Sequence, residues 1–228
     1  MHDLNLLLEI AIKASIEAGL KISEIYRKDF EVDFKNDNSP LTTADTASNE
    51  IIMKFLSETG IPVLSEEGKS IPYKKRRKWD LFWIVDPLDG TKEFLKRNGE
   101  FTVNIALVQK DQPVMGVIYI PEQKTLYFAT KELGSFVTEN ITQYSGSLKD
   151  LIDGAAKLPV QQPKRPFTVV GSKSHMTPET REFIDNITTQ KGEVEVMSRG
   201  SSLKICMVAE GKADIYPRFA PTMEWDIA

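Results

Sequence analysis

The sequence predicts a mixed α/β (α+β) fold, and three patterns predict it. Apolar residues recur at helical spacing over residues 3–28. Three β-rich segments follow one another between residues 101 and 129, which is typical of an antiparallel meander. After residue 166, strand and helix patterns alternate. The 228 residues suffice for one large domain or two small ones, and we expect an α+β unit over residues 1–150 and an α/β unit over residues 151–228.

The first predicted elements are two helices. Residues 3–28 form an amphipathic helix, and the polar residues 35–40 end its pattern. Thr42, Thr43 and Asp45 have the chemistry of a helix N-cap, so a second helix begins there. Its apolar face is formed by Ile51, Ile52, Phe55 and Leu56.

Short apolar runs bounded by turn residues predict the strands that follow. In the first half these strands cover residues 61–64, 81–85, 101–108, 114–120 and 125–129. The basic run Lys74–Lys78 lies between the first two of them, and we predict that it is a solvated loop.

Residues 138–166 have little pattern and contain several prolines, so we place the boundary between the two units there. Beyond it, the sequence predicts strands at residues 167–170, 194–197 and 213–216, with helices at residues 178–189 and 201–210.

Composition argues against several classes of protein. Lys and Arg number 29 against 33 Asp and Glu, so the net charge of −4 does not favour nucleic-acid binding. The single cysteine, Cys206, permits neither an internal disulfide nor a multi-cysteine zinc site. No apolar run approaches the ~20 residues of a membrane span. Asp3 and Glu9 interrupt the N-terminal apolar positions, so we expect no secretory signal and a cytoplasmic protein.

Candidate metal ligands follow the predicted strand 81–85. Asp86 and Asp89, with the Leu88 carbonyl between them, offer the oxygen ligands that Mg²⁺ prefers. Gly90 and Thr91 would begin the next helix, whose free N–H groups attract phosphate. The alternative is a simple turn, since all these residue types favour turns, and the motif alone does not decide between the two.

Two further acidic turns also follow apolar runs. Glu66 comes after the strand 61–64 together with Glu67, and Asp226 ends the sequence Glu224-Trp225-Asp226. Each alone is typical of an exposed surface acid or a helix cap. If the three turns meet at one sheet edge, their carboxylates repel one another unless cations neutralise them. Metal binding is the simplest resolution.

Together these motifs resemble a known family. Glu66-Glu67, residues 86–91 and Trp225-Asp226 are similar, in this order, to the signature of the inositol monophosphatase superfamily of lithium-sensitive, magnesium-dependent phosphatases. Lys92-Glu93 after Thr91 resembles the 3′(2′),5′-bisphosphate nucleotidase branch, because inositol phosphatases usually have Thr-Asn or Ser-Asn there. Residues 101–107 and 171–175 are also similar to that branch. The resemblance implies a layered α-β-α-β-α sandwich of the inositol monophosphatase or sugar-phosphatase type.

The resemblance also implies a set of roles. Two or three Mg²⁺ ions would be held by Glu66, Asp86, Asp89, Asp226 and the Leu88 carbonyl. Glu66, Thr91 and Asp45 would be catalytic, with Asp45 and Thr91 orienting a metal-activated water for in-line attack. The substrate would contact Gly90, Thr91, Ser172, Ser174, His175, Ser201, Lys204 and Arg218. By spacing alone, the loop 172–175 could equally cap the following helix.

The implied reaction is hydrolysis of the 3′-phosphate of 3′-phosphoadenosine 5′-phosphate to AMP and phosphate, with Lys204 and Arg218 holding the second phosphate. The alternative is an inositol or sugar phosphatase with the same metal site. Members of the superfamily continue past the Trp-Asp motif, whereas this chain stops at Ala228. We therefore expect an incomplete C-terminal part, an exposed sheet edge and a weakly held Asp226; a cation-binding protein without catalysis is the further alternative.

The expected partner is a small phosphorylated metabolite, without nucleic acid and without a transmembrane segment. We expect a monomer, with a dimer as the alternative. Association with the inner membrane surface is left open, because the sequence contains no anchor.

Overall fold

A seven-stranded sheet forms the centre of the fold. The computed structural model describes residues 3–28, 32–34, 40–172 and 176–228. In chain order the elements are α1 (Leu4–Tyr26), β1 (Val32–Phe34), β2 (Pro40–Thr42), α2 (Thr43–Ser57), β3 (Val63–Ser65), α3 (Tyr73–Arg76), β4 (Leu81–Asp89), α4 (Thr91–Leu95), β5 (Thr102–Gln109), β6 (Gln112–Ile120), β7 (Thr125–Thr130), β8 (Gly134–Thr138), α5 (Leu148–Asp153), β9 (Ala156–Lys157), β10 (Phe167–Ser172), α6 (Pro178–Lys191), β11 (Val194–Arg199), α7 (Leu203–Ala209) and the 3₁₀ turn Glu224–Asp226.

The large sheet has the strand order β3-β4-β5-β6-β7-β8-β9. β3 and β4 are parallel, and every other neighbouring pair in this sheet is antiparallel. The predicted meander is therefore confirmed, and β8 and β9 extend it beyond the predicted strands. β10 and β11 form a separate parallel pair.

The two N-terminal helices pack together and cover one face of the large sheet. The Asp3 carboxylate accepts the Asn5 N–H at 2.9 Å and so caps α1. At the start of α2, Thr42 and Asp45 form the predicted capping box. The main core lies between these helices and the sheet, and its largest fully buried side chains include Trp83, Tyr119, Phe94, Phe101, Phe128, Leu8, Ile12 and Ile52.

An irregularity in β4 shapes the candidate site. Asp86 pairs with Asn104 and Asp89 pairs with Thr102, and the register shifts between these two pairs. A bulge of this kind re-aims the side chains on the bulged strand. The strand thus continues to Asp89, four residues beyond the predicted end at residue 85, and carries both acids within the sheet.

Two predictions for the second half need correction. The predicted strand 213–216 is reduced to a single bridge between Val169 and Ile215. The Asp214 carboxylate accepts the Thr168 N–H at 2.7 Å, and Pro217 has no N–H to extend a ladder. The predicted helix 201–210 begins at Leu203, because Ser201 has a left-handed backbone with φ +51.

The mixed α/β prediction is confirmed. The division at residue 150 stays a prediction, and β9, which lies beyond it, pairs with β8 in the large sheet. No helix in the described part of the chain is both long enough and apolar enough to cross a membrane.

Candidate active site

Two of the acids are brought together by the only parallel pair in the large sheet. Ser65 pairs with Val85, so the next residues along the two strands, Glu66 and Asp86, are neighbours. The Glu66 N–H donates to the Val85 carbonyl at 3.1 Å, which continues the ladder by one bond. The parallel register therefore places the two acids side by side at the end of the β3–β4 pair.

The acids interact electrostatically across this sheet end. Burial raises the pKa of Asp86 well above its usual range, and the negative charges of Asp89, Glu66 and Asp226 add to the rise. Burial also raises the pKa of Asp89, while a hydrogen bond from Ser201 and the charge of Lys204 oppose that rise. The four predicted acidic ligands therefore influence one another, as convergent carboxylates do.

This donor set fits an open magnesium site. Within the described ranges, no group of three or more His, Cys, Asp and Glu side chains is arranged to hold a metal ion unaided. Mg²⁺ is usually held by one or two carboxylates and keeps water and substrate phosphate oxygens in its shell. Buried, mutually repelling carboxylates are also what a cation neutralises best. A magnesium site that leaves coordination positions for water and substrate phosphate oxygens is consistent with both observations.

Asp45 and Thr91 lie next to the acids and contact each other. The Thr91 hydroxyl lies 3.2 Å from Asp45 Oδ1 and 3.5 Å from the Leu88 carbonyl oxygen. Asp45 Oδ2 accepts the Thr42 N–H at 2.7 Å and the Thr42 hydroxyl at 2.6 Å. The carboxylate is therefore held by α2 while its other oxygen faces the start of α4.

A network of hydrogen-bonded polar side chains holds the Asp89 carboxylate. Asp89 Oδ2 accepts from the Ser201 hydroxyl at 2.8 Å and from the Asn104 amide at 3.4 Å. The Thr102 hydroxyl contacts Asn104, Ser201 and Ser202 at 2.9, 2.7 and 2.8 Å. Thr102, Asn104 and Ser202 were not among the predicted site residues. Polar residues at alternate positions of an otherwise apolar strand were the signal for the first two.

Two cations, Lys204 and Arg218, line the same pocket as Asp89. Lys204 is only 5% exposed; its ammonium donates to the Ser201 carbonyl and lies 5.4 Å from the centre of the Tyr216 ring. Burial lowers the pKa of Lys204, the Asp89 carboxylate opposes this, and Arg218 lowers it further. Arg218 Nη2 donates to the Pro221 carbonyl at 3.0 Å. Its Nε is buried and has no hydrogen-bond partner among the described residues.

One pocket is lined by both the acids and the cations of the site. The predicted site residues that line it are Glu66, Asp89, Gly90, Thr91, Ser172, Ser201, Lys204, Arg218 and Asp226. Those not among its lining residues are Asp45, Asp86 and Leu88. Ser174 and His175 lie outside the described residues. Lining residues that were not predicted as site residues are Lys92, Glu93, Gly200, Ser202, Ile205, Tyr216, Thr222 and Ile227.

The chain resembles known proteins over nearly its whole length. The model of the inositol monophosphatase family matches residues 3–228. The chain belongs to this family. It is 42% identical over 226 residues to the 3′(2′),5′-bisphosphate nucleotidase CysQ of Salmonella typhimurium, covering 97% of this chain and 84% of that protein. It is 43% identical to the CysQ of Escherichia coli strain K12, covering 92% of this chain and 80% of that protein.

Solved structures of the family agree. A crystal structure of CysQ from Bacteroides thetaiotaomicron, described as a bacterial member of the family, has a TM-score of 0.90 and 53% identity. It matches 97% of this chain, which covers 83% of that one. A structure of the suhB protein from Bartonella henselae has a TM-score of 0.74 and 25% identity, covering 98% of this chain and 81% of that one.

These relatives confirm the predicted family, its nucleotidase branch and the enzyme class, a phosphoric monoester hydrolase. Members of the inositol monophosphatase family are metal-dependent phosphatases that generally use Mg²⁺. The roles of individual residues, the oligomeric state and the cellular location stay predictions.

Proposed function

We propose that this chain hydrolyses the 3′-phosphate of 3′-phosphoadenosine 5′-phosphate to AMP and phosphate. The observation that carries the proposal is a single pocket lined by both acidic and basic side chains. Its acids include Glu66, Asp89 and Asp226, and its cations include Lys204 and Arg218. A substrate with two phosphates would bring one to the metal-binding acids and the other to the cations. The nucleotidase names of the relatives support the same substrate class.

The acidic residues of the site would support the chemical step. Glu66, Asp86, Asp89, Asp226 and the Leu88 carbonyl would hold two or three Mg²⁺ ions. Bound magnesium lowers the pKa of water and stabilises the leaving oxygen. The Thr91 hydroxyl donates to Asp45, so its lone pairs are available to a water beside the phosphate. Asp45 is fixed by Thr42, so this pair orients the water without a change in the fold.

Lys204 and Arg218 would bind the second phosphate. Arg218 has a buried Nε without a partner in the described part of the chain, and a buried donor left unmatched costs about 1–3 kcal/mol. A phosphate oxygen would satisfy it with a charge-assisted hydrogen bond. Lys204 adds a second cation in the same pocket. Ser172 lines the pocket and would contact the nucleoside.

The test compares two substrates. Phosphate release is measured with Mg²⁺ from 3′-phosphoadenosine 5′-phosphate and from inositol 1-phosphate, with an Asp86→Ala variant beside both and circular dichroism as the check on folding. We expect strong preference for the nucleotide and no release by the variant. Release from inositol 1-phosphate alone would overturn the substrate assignment. No release from either substrate by the folded chain would overturn the phosphatase proposal itself.

A further inference from the structure

Asp226 lies on a short element that needs outside support. It ends the 3₁₀ turn Glu224–Asp226, and residues 216–223 before it form neither helix nor strand. Its carboxylate accepts the Thr222 hydroxyl at 2.6 Å and the Met223 N–H at 3.0 Å. These bonds fix the side chain relative to its own turn. They do not fix the turn relative to the sheet that carries the other acids.

Two contacts hold the turn against the rest of the molecule. The Trp225 side chain packs against a small apolar cluster on the sheet, which consists of Leu64, Ile84 and Val108 and is flanked by Trp79 and Phe82. Glu224 forms an ion pair with Arg76, at the end of α3. The two anchors directly precede Asp226 in sequence, one packing on apolar side chains and the other pairing charges.

Arg76 differs from the other residues of the basic run that contains it. Lys74, Lys75, Arg77 and Lys78 are exposed, as expected for a solvated basic run. The Arg76 side chain is only 26% exposed. The loop prediction is wrong for Lys74, Lys75 and Arg76, which lie in α3. Its guanidinium also lies 5.6 Å from the centre of the Tyr73 ring, at the distance of a cation–π contact. Arg76 is thus oriented toward its partner.

We propose that Arg76 and Glu224 are positioning residues for Asp226. Arg76 belongs to the connection between β3 and β4, and Glu66 begins that same connection. The ion pair therefore fastens the C-terminal acid to the chain segment that carries another predicted ligand. Exposed ion pairs contribute little to the free energy of unfolding. We therefore expect the Arg76–Glu224 pair to affect the position of Asp226 and not the stability of the fold. This inference rests on the proposed function, because it takes Asp226 as a magnesium ligand.

A purely electrostatic effect and a positioning effect predict different changes in Mg²⁺ affinity for two single variants. Arg76→Met removes a cation, and by charge alone it would strengthen Mg²⁺ binding. Glu224→Gln removes an anion, and by charge alone it would weaken Mg²⁺ binding. Positioning predicts that both variants weaken Mg²⁺ binding, because each releases the same turn.

The experiment titrates Mg²⁺ into the substrate-free protein by calorimetry, with thermal unfolding recorded for every variant. We expect both single variants to bind about two- to fivefold more weakly, which corresponds to the usual range of exposed ion-pair energies. The double variant R76M/E224Q should bind no more weakly than either single one, since both changes break one contact. The matched control Arg77→Met, an exposed neighbour, should bind as the wild type does, and Arg76→Lys should recover part of the loss.

Each contrary result has a distinct meaning. Tighter Mg²⁺ binding by R76M, or additive losses in the double variant, would overturn the positioning role. Weakened binding in both single variants of a chain that hydrolyses no nucleotide would keep the positioning role and overturn the proposed function. A wild-type chain that binds no Mg²⁺ would overturn both.

Discussion

The Thr91 hydroxyl and Asp45 Oδ1 are 3.2 Å apart, although 46 positions separate the two residues in the sequence. The contact joins the first turn of α2 to the first turn of α4. Asp45 is 2% exposed and is also held by Thr42, so the Thr91 hydroxyl meets a fixed acceptor. A hydroxyl held in this way would orient a water molecule without further rearrangement during the reaction.

Thr91→Val should lower kcat for nucleotide hydrolysis by about 100-fold or more, because it removes a proton-handling hydroxyl beside the attacking water. Thr91 is only half-buried, so the melting temperature should change little. Thr91→Ser keeps the hydroxyl and is the matched control, with activity near that of the wild type. Steady-state kinetics measures both variants, and wild-type kcat in Thr91→Val would remove Thr91 from the mechanism.

Asp86→Asn should increase the stability of the metal-free protein and decrease its activity. The folded-state pKa of Asp86 is raised above its unfolded value of about 3.9, so the wild type loses stability as pH rises from that value through the folded pKa. Without metal at pH 7, the neutral amide should therefore increase the free energy of unfolding and flatten its pH dependence. Activity should fall more than about 100-fold with the loss of a metal ligand.

Urea unfolding in EDTA at several pH values, followed by the same series with Mg²⁺, measures both effects of Asp86→Asn. Added Mg²⁺ should stabilise the wild type more than the variant. A variant less stable than the wild type in EDTA would contradict the repulsion inferred at this site.

Lys204→Met should raise KM for the bisphosphate about 10- to 100-fold, the usual effect of losing one hydrogen bond to a charged group. KM for 3′-AMP, which has no second phosphate, should stay near the wild-type value. Lys54→Met, at an exposed position of α2, is the control for removing one positive charge. Equal increases of KM for both substrates would show that Lys204 does not recognise the second phosphate.

Thr102→Val should destabilise the protein by about 1–3 kcal/mol, because it leaves buried polar partners unmatched. Thr102 is fully buried and contacts Asn104, Ser201 and Ser202 through one hydroxyl. Thr102→Ser retains the hydroxyl and should lose much less of the free energy of unfolding. Urea unfolding at one pH compares the two, and equal losses would show that the hydroxyl network contributes no more to stability than the packing of the Thr102 methyl group.

Gly19→Ala should also be destabilising, by about 1–3 kcal/mol, through overpacking between α1 and β6. A Cβ at Gly19 would lie 2.4 Å from Tyr119 Cδ1. The ring cannot move away easily, since Tyr119 is buried and its hydroxyl donates to the Ile141 carbonyl at 2.7 Å. Gly116→Ala is the control, because no atom lies within 4 Å of its added Cβ. A more stable Gly19→Ala would show that helix propensity outweighs the clash.

The sequence by itself determined the features that depend on neighbouring residues. Helical spacing predicted α1, the close succession of β-rich segments predicted the meander, and the N-cap chemistry of Thr42 and Asp45 predicted the start of α2; all three are present. The motif of residues 86–91 predicted candidate metal ligands for the same reason, since spacing within one turn is a local property. Periodicity and capping require only contacts between residues a few positions apart.

Only the tertiary structure decided which polar residues support the site. Five adjacent basic residues look alike in sequence, and only Arg76 of these meets Glu224, 148 positions away. Thr102 contacts Ser201 across 99 positions, and the strand predicted at residues 213–216 became a single bridge because the Asp214 side chain takes a backbone donor. Local pattern reports whether a side chain is buried, whereas its partner depends on how distant segments pack.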